Sequence, residues 1–414
     1  MSHLKKISVN DLSPGMYFSG FDGPWIDNPF WKNKFVIANF KEIKQAQTSG
    51  FEHCWIDISK GKDVQESSLT EEEHALLSDI ASGLSEESLD LLHEVNDAER
   101  LYEHAKGITQ TMFKQVRLGK AIDTVECLRL VDEIAASVSR SSSILTSVVR
   151  LKLADEYSYI HSVAVCALMV SLGKTLGMDD ASCKEAGLAG YLHDVGKAFI
   201  PPEILNKPGK LTDQEFRIIQ RHPALGYDYL RGNPKVPDYA STVCLHHHEK
   251  LDGSGYPGKQ QGNAITVYAR MAAICDVYDA ITSDRPYKQG WDPAESIAQM
   301  ASWDGHFDRP MFLAFVRTLG IYPVGSIVKL KSGRRGLVIK QNQDDLTKPV
   351  VKAFTISDAF EVLNAELVDL GSACVNDGIA ERSGEDWLKL KGLSMSFVDH
   401  MKSGSVGSGA IGVS

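Results

Sequence analysis

The pattern of apolar and polar positions changes character three times along the chain. Over the first sixty or so residues, short apolar runs (Ile7 to Val9, Met16 to Phe21, Phe35 to Phe40) stand between Gly, Pro and Asn breakers, among them the turn Ser13-Pro14-Gly15. That punctuation predicts short strands, with Trp25, Phe30, Trp31 and Trp55 assigned to the core of the module. A polar stretch from Ile58 to Ser68 reads as a linker. From Thr70 the period lengthens: Thr70 and Glu73 form a T-x-x-E box ahead of Leu76 and Leu77, and heptad-like segments over Leu91–Gln115 and Val125–Leu151 predict long helices. Their charged faces (Glu94, Glu99, Arg100, Glu103) read as solvated surface. Either helix could equally pack within the chain or against a second copy, because a/d spacing does not distinguish the two.

Residues 156 to 320 continue as helical segments, with a second box at Thr212 and Glu215. After Tyr322-Pro323 the period returns to two: Gly325–Lys331, a turn at Ser332-Gly333, then Gly336–Asn342, which predicts a β-hairpin. The last twelve residues, SGSVGSGAIGVS, have linker composition. The pattern therefore predicts a mainly α protein with a small β-rich module at its start and a β-hairpin extension near its end.

Composition narrows the function classes. A chain of 414 residues implies two or three domains. Lys+Arg 44 against Asp+Glu 54 gives a net charge of −10, which argues against DNA and acidic-membrane partners, since both require a basic face. No apolar run has the roughly 18 residues of a membrane span, and the start lacks an apolar signal segment. Seven scattered cysteines without a C-x-x-C pair argue against a disulfide framework or a cysteine zinc site, and fit a reducing cytoplasm.

The histidines carry the chemistry. Six of thirteen lie between 161 and 248: His161, His193, His222, His246, His247 and His248. Singly, each would pass for a core residue with a satisfied hydrogen bond. Six in one helical region, joined by Asp194 and Asp276, point to a metal centre gathered in a bundle core. Imidazole and carboxylate donors without thiolates suit Fe, Mn, Zn, Ni or Co, and a carboxylate can bridge two ions about 3.5–4 Å apart. His193 and Asp194, if on a regular helix, would point about 100° apart, with Gly196 near the helix end. Pro223 predicts that His222 closes a helix and projects from its end.

His193-Asp194-Val195-Gly196-Lys197 resembles the signature of HD phosphohydrolases. The segment HHEKLDGSGYPG, residues 247 to 258, resembles that of the HD-GYP subgroup. KPGKLTDQEF (207 to 216), Arg221-His222-Pro223 and CDVYDAITSDRPYK (275 to 288) match the same family, so the likeness spans roughly residues 130 to 322. LSPGMY, PW-x-x-x-PF and Trp55-Ile56-Asp57 resemble a domain of unknown function often found before such regions. The organisation expected is a β-rich module over 1–65, a linker and helical connector over 66–130, and an HD-type helical bundle over 131–322. A β extension over 323–372 and a C-terminal segment with a Gly/Ser tail over 373–414 complete it.

The resemblance implies an enzyme that hydrolyses cyclic di-GMP to linear pGpG and on to GMP, by attack of a hydroxide bridging two divalent ions. It implies His161, His193, Asp194 and Asp276 around one ion and His222, His247 and His248 around the second, with Asp194 bridging. Iron or manganese are the leading candidates, with nickel, cobalt and zinc behind them. Asp194 and Lys197 are assigned to catalysis, and Lys197, Tyr256, Arg285 and Lys288 to substrate binding. His246 is read as a neighbour outside the ligand set and Asp279 as an orienter of a ligand. Some family members carry a glutamate four residues before the first histidine and hold three ions. Here that position is Tyr157, with Glu156 one residue earlier, so two ions are expected. Two divalent ions against two carboxylates and a bridging hydroxide leave about one positive charge for a phosphate. Competing readings are a cyclic di-GMP receptor with little or no turnover, and a phosphodiesterase for another cyclic dinucleotide such as 3′,3′-cyclic GMP-AMP. Diguanylate cyclases (GGDEF proteins) and a second copy of the chain are the candidate protein partners.

Overall fold

The computed structural model describes residues 4–9, 12, 15–21, 34–37, 43, 46, 53–62, 86–140, 145, 157–207, 209–283, 290–356 and 362–382. The chain forms two compact units, Met1–Asp79 and Ile80–Ser414. Trp25, Phe30, Trp31, the Thr70–Glu73 box, Glu156, Arg285 and Lys288 lie outside the described residues.

In the first unit, β1 (Leu4–Ser8), β2 (Tyr17–Phe21), β3 (Phe35–Val36) and β4 (His53–Asp57) form an antiparallel sheet in the order β1-β4-β2-β3. Side chains alternate between faces along a strand, so Cys54 and Ile56 of β4 enter the core beside Phe18 and Ile37, all fully buried. Trp55 falls on the other face and is half-buried, which corrects its assignment to the core.

The second unit begins with α1 (Glu86–Arg117) and α2 (Thr124–Arg140). The middle of α3 (Tyr157–Thr175) is buried on every side from Ile160 to Leu172, as expected of a helix apolar all round. It packs on α4 (Asp180–Leu192), where Gly187 and Gly190 leave room for Val170 and Met169. Past α4 come a 3₁₀ turn (Val195–Phe199), α5 (Pro202–Leu205), α6 (Asp213–Ile219), α7 (His222–Arg231) and α8 (Asp238–His246). The helices end with α9 (Val267–Thr282), α10 (Pro293–Ala301) and α11 (Arg309–Leu319). One continuous apolar core runs from Ala98 to Phe315.

The expected hairpin is β5 (Ile327–Leu330) with β6 (Arg335–Lys340), turning at Gly333 with φ 83°. It lies inside a larger antiparallel sheet with β7 (Val350–Ile356), β8 (Val362–Asp369) and β9 (Ile379–Arg382), in the order β8-β7-β6-β5-β9. Among the described residues no helix is long and apolar enough to cross a membrane.

Candidate metal centre

The local sequence sets where each ligand candidate sits. Asp179 caps α4 by accepting the Ser182 N–H at 2.7 Å. The helix stops at Leu192, so His193 is its C-cap, and Asp194 leaves helical geometry at φ −103°, ψ 9°. The pair is thus not on a regular helix. The reason is Gly196: a Cβ there would collide with the His222 carbonyl and the Gly226 amide, so the chain turns early to press its backbone against α7. His222 likewise opens α7 rather than closing a helix, because Pro223 occupies the first turn, where its missing N–H costs nothing. Ahead of it, α6 carries the expected capping box, with Thr212 and Glu215 each bonding the other's backbone N–H.

These elements converge on one buried cluster. His161 Nε2 lies 3.0 Å from Asp276 Oδ1 and 3.4 Å from Asp194 Oδ2. His193 Nε2 is 3.4 Å from Asp194 Oδ2 and 3.9 Å from Asp276 Oδ1. On the other side, His222 Nε2 is 3.1 Å and His247 Nε2 3.7 Å from Asp194 Oδ1, while His248 Nδ1 is 3.6 Å from Asp276 Oδ2. Asp194 therefore presents one oxygen to each group of histidines. Three sets gather donor atoms within 4.8 Å of one another: His222, His247 and His248; His161, His193 and Asp276; His193, Asp194 and His247.

The outward ring nitrogens are tied down. Nδ1–H donates to the Gly190 carbonyl from His193 (2.6 Å), to Ile219 from His222 (2.7 Å), to Cys244 from His247 (2.9 Å), and to Asp279 Oδ2 from His161 (2.7 Å). A neutral imidazole whose Nδ1 carries the proton presents a lone pair at Nε2. His222 Nε2 and His247 Nε2 nonetheless face each other at 3.2 Å, and His193 Nε2 is buried without a hydrogen-bond partner. Opposed lone pairs at that distance repel unless a proton or a cation stands between them. Burial, reinforced by the imidazoles of His248, His193 and His222, holds His247 well below the ordinary histidine range, so the neutral form faces the cluster. Burial also brings His248 down to about 3. On the carboxylate side, burial opposes ionisation, but Asp194 is held well below the usual range by Lys197 and His193, and Asp276 by the neighbouring His161, His193 and His248. Burial works against protonation at His161 and His193 as well, but there the acids win: Asp276 and Asp279 raise His161, and Asp194 and Asp276 push His193 up to about 10. Neutral imidazoles and ionised carboxylates are the states in which these groups bind divalent cations, so the donor types fit a metal pair and those two imidazoles would give up a proton on binding it.

Lys197 Nζ donates to Asp194 Oδ2 and stays about one-fifth exposed at the edge of the cluster. The Tyr256 ring lies against His248, centroids 4.7 Å apart. His246 turns away, meeting Gln260 at 3.3 Å and Glu249 at 3.6 Å. Asp279 receives His161 as expected. Glu249, 2% exposed, was not among the sequence candidates; its signal was an acid directly following the paired histidines.

The HD domain family matches residues 130–311, and a domain of unknown function, DUF3391, matches residues 4–127. A cyclic di-GMP phosphodiesterase of Pseudomonas aeruginosa is 46% identical over 377 residues, 91% of each chain. A 3′3′-cGAMP-specific phosphodiesterase of Vibrio cholerae is 40% identical over 39% of this chain and 38% of its own. The HDG"Y"P protein Bd1817 of Bdellovibrio bacteriovorus has a solved structure that superposes with a TM-score of 0.46 at 14% identity, over 75% of this chain and 98% of its own.

Proposed function

The chain belongs to the family of HD-domain cyclic di-GMP phosphodiesterases with an N-terminal DUF3391 domain, and from that membership we infer that it is a metal-dependent enzyme hydrolysing cyclic di-GMP. His161, His193, Asp194 and Asp276 would hold one divalent cation and His222, His247 and His248 the other, with Asp194 shared. The observation that carries this assignment is the opposition of the His222 and His247 Nε2 atoms at 3.2 Å with His247 held neutral. Imidazole and carboxylate donors without a thiolate suit iron, manganese, zinc, nickel or cobalt, of which the family resemblance favours iron or manganese; Cys244, though near, turns its Sγ toward the Pro223 carbonyl.

Bound divalent ions would supply a Lewis acid for a phosphate oxygen and a water acidified toward neutral pH. The residues do the rest. Asp194 divides its two oxygens between the histidine groups and keeps Lys197 at the rim. Lys197 adds a positive charge there for a phosphate of the substrate. Tyr256, its ring tilted against His248, lies at the same rim, and Arg285 and Lys288 are assigned to the phosphates by resemblance alone. Hydrolysis of one phosphodiester breaks a P–O3′ bond, with water furnishing the new P–O oxygen and the proton of the freed 3′-hydroxyl. The product is linear pGpG, and a second cleavage gives GMP. Seven cysteines in no disulfide support a cytoplasmic setting.

The test is Asp194→Ala, assayed beside the unsubstituted protein prepared anaerobically. The unsubstituted protein should carry about two transition ions per chain and turn cyclic di-GMP into pGpG, whereas the variant should lose both properties and keep its helical spectrum. Normal turnover by the variant would defeat the site assignment. A preference for 3′,3′-cyclic GMP-AMP over cyclic di-GMP would defeat the substrate assignment.

A further inference from the structure

Beside the histidine cluster, a buried carboxylate holds a strained loop. Glu249 directly follows the paired His247-His248, and its side chain is fully buried. Its Oε1 accepts the Gly258 N–H at 2.6 Å and its Oε2 the Gln260 N–H at 3.1 Å. Between those two amides lies Lys259, at φ 52° the only non-glycine residue with positive φ among the described residues. A left-handed conformation costs a side-chain-bearing residue roughly 1–2 kcal/mol, and consecutive backbone amides in such a turn form a concavity that suits an anion. The carboxylate therefore occupies the cradle that the unusual backbone creates. The other fixed points of the loop agree. Gly255 presses so closely on the backbone of His248, Glu249 and Lys250 that a Cβ has no room. Tyr256 N–H donates to the His248 carbonyl at 3.2 Å, and the base of the loop is pinned by Leu251 and Asp252 N–H donating to the carbonyls of His306 and Gly305 at 3.2 and 2.9 Å. His246, through Gln260, closes the same side.

We propose that Glu249 is a positioning residue: its carboxylate latches the loop from Lys250 to Gln261 through the Gly258 and Gln260 amides, so that Tyr256 is held over His248 at the rim where cyclic di-GMP enters. The proposal acts through Tyr256 and not through the ions, and it rests on the cyclic di-GMP reading for its catalytic consequence only. The anchoring itself can be read without turnover.

The test is Glu249→Gln, which keeps the volume and one acceptor but turns an NH₂ toward a backbone N–H. Hydrogen exchange followed by mass spectrometry, on the full chain with and without added Mn²⁺, should show the peptide covering 250–261 exchanging about tenfold or more faster, as expected from loss of a hydrogen bond to a charged group. Peptides from α3 and α9 should be unchanged, and the variant should keep the metal content of the unsubstituted protein. In turnover, KM for cyclic di-GMP should rise about tenfold with a smaller change in kcat. That rise should vanish when Glu249→Gln is made in a Tyr256→Ala background, because two residues acting in series are not additive. Glu249→Asp, which keeps the charge, should recover part of the KM. Unchanged exchange in 250–261, additive effects of the two substitutions, or loss of metal from Glu249→Gln would each overturn the proposal. Absence of turnover in the unsubstituted protein would instead strike at the cyclic di-GMP reading and leave the exchange result to decide the latch.

Discussion

His161 faces the cluster through Nε2 because Asp279 receives its Nδ1 proton at 2.7 Å. Outer partners of this kind fix the tautomer and raise the basicity of a ligand, and their loss commonly weakens metal binding about 10–100-fold. Asp279→Asn keeps the volume and removes the charge. It should therefore lower the affinity for one of two ions by about tenfold or more with the melting temperature little changed, as read by titrating the apo-protein with Mn²⁺. Equal affinities at both steps would show Asp279 to be a packing residue only. The cluster itself was legible from type: six histidines and two aspartates in one helical region are costly to bury without a cation, although His246 turns away from the other five. The anchor of His161 could be named from spacing along α9, but its partner, 118 residues distant in sequence, could not. Glu249 escaped notice because its partners are backbone amides, which have no residue type to read.

At the scale of elements, the turn after α4 fixes the centre. Gly196 leans on the first turn of α7, and that contact draws Asp194 between the two histidine groups. Gly196→Ala adds a Cβ where the His222 carbonyl already stands, so it should cost about 1–3 kcal/mol by overpacking and displace His222. The expected readout is a lower melting temperature together with weakened metal binding, and retention of both would contradict the packing described. Sequence predicted α6 and its capping box, since such a box is a local device. It misplaced the ends next to the site for a physical reason. Residues 193–195 hold neither a proline nor a glycine that would stop α4 in isolation, but a tertiary contact at Gly196 ends the helix at Leu192. Pro223 was read as a terminator although proline suits the first turn equally well, and only the packing of Gly226 against Gly196 decides which.

For the molecule as a whole, the mainly helical class with a β-rich start was legible, because local periodicity carries it. The five-stranded sheet was legible only at its hairpin, since β9 pairs with β5 across some fifty residues and such pairing leaves no local mark. A cation held at the proposed centre would couple to the stability of the second unit by mass action. With free Mn²⁺ about 100-fold above its dissociation constant, binding should add about 2.7 kcal/mol. A chelator should therefore lower the unfolding temperature by about 4 °C for each cation lost from a unit of this size. No shift on chelation would argue against bound ions in the native state. Three of the imidazoles assigned to the cations (His193, His222 and His247) take their orientation from a carbonyl three residues upstream. The pocket is thus preformed, unlike that of small zinc-dependent domains that fold only around their ion. Such a rigid receptacle would surrender one cation and accept another without passing through an unfolded chain.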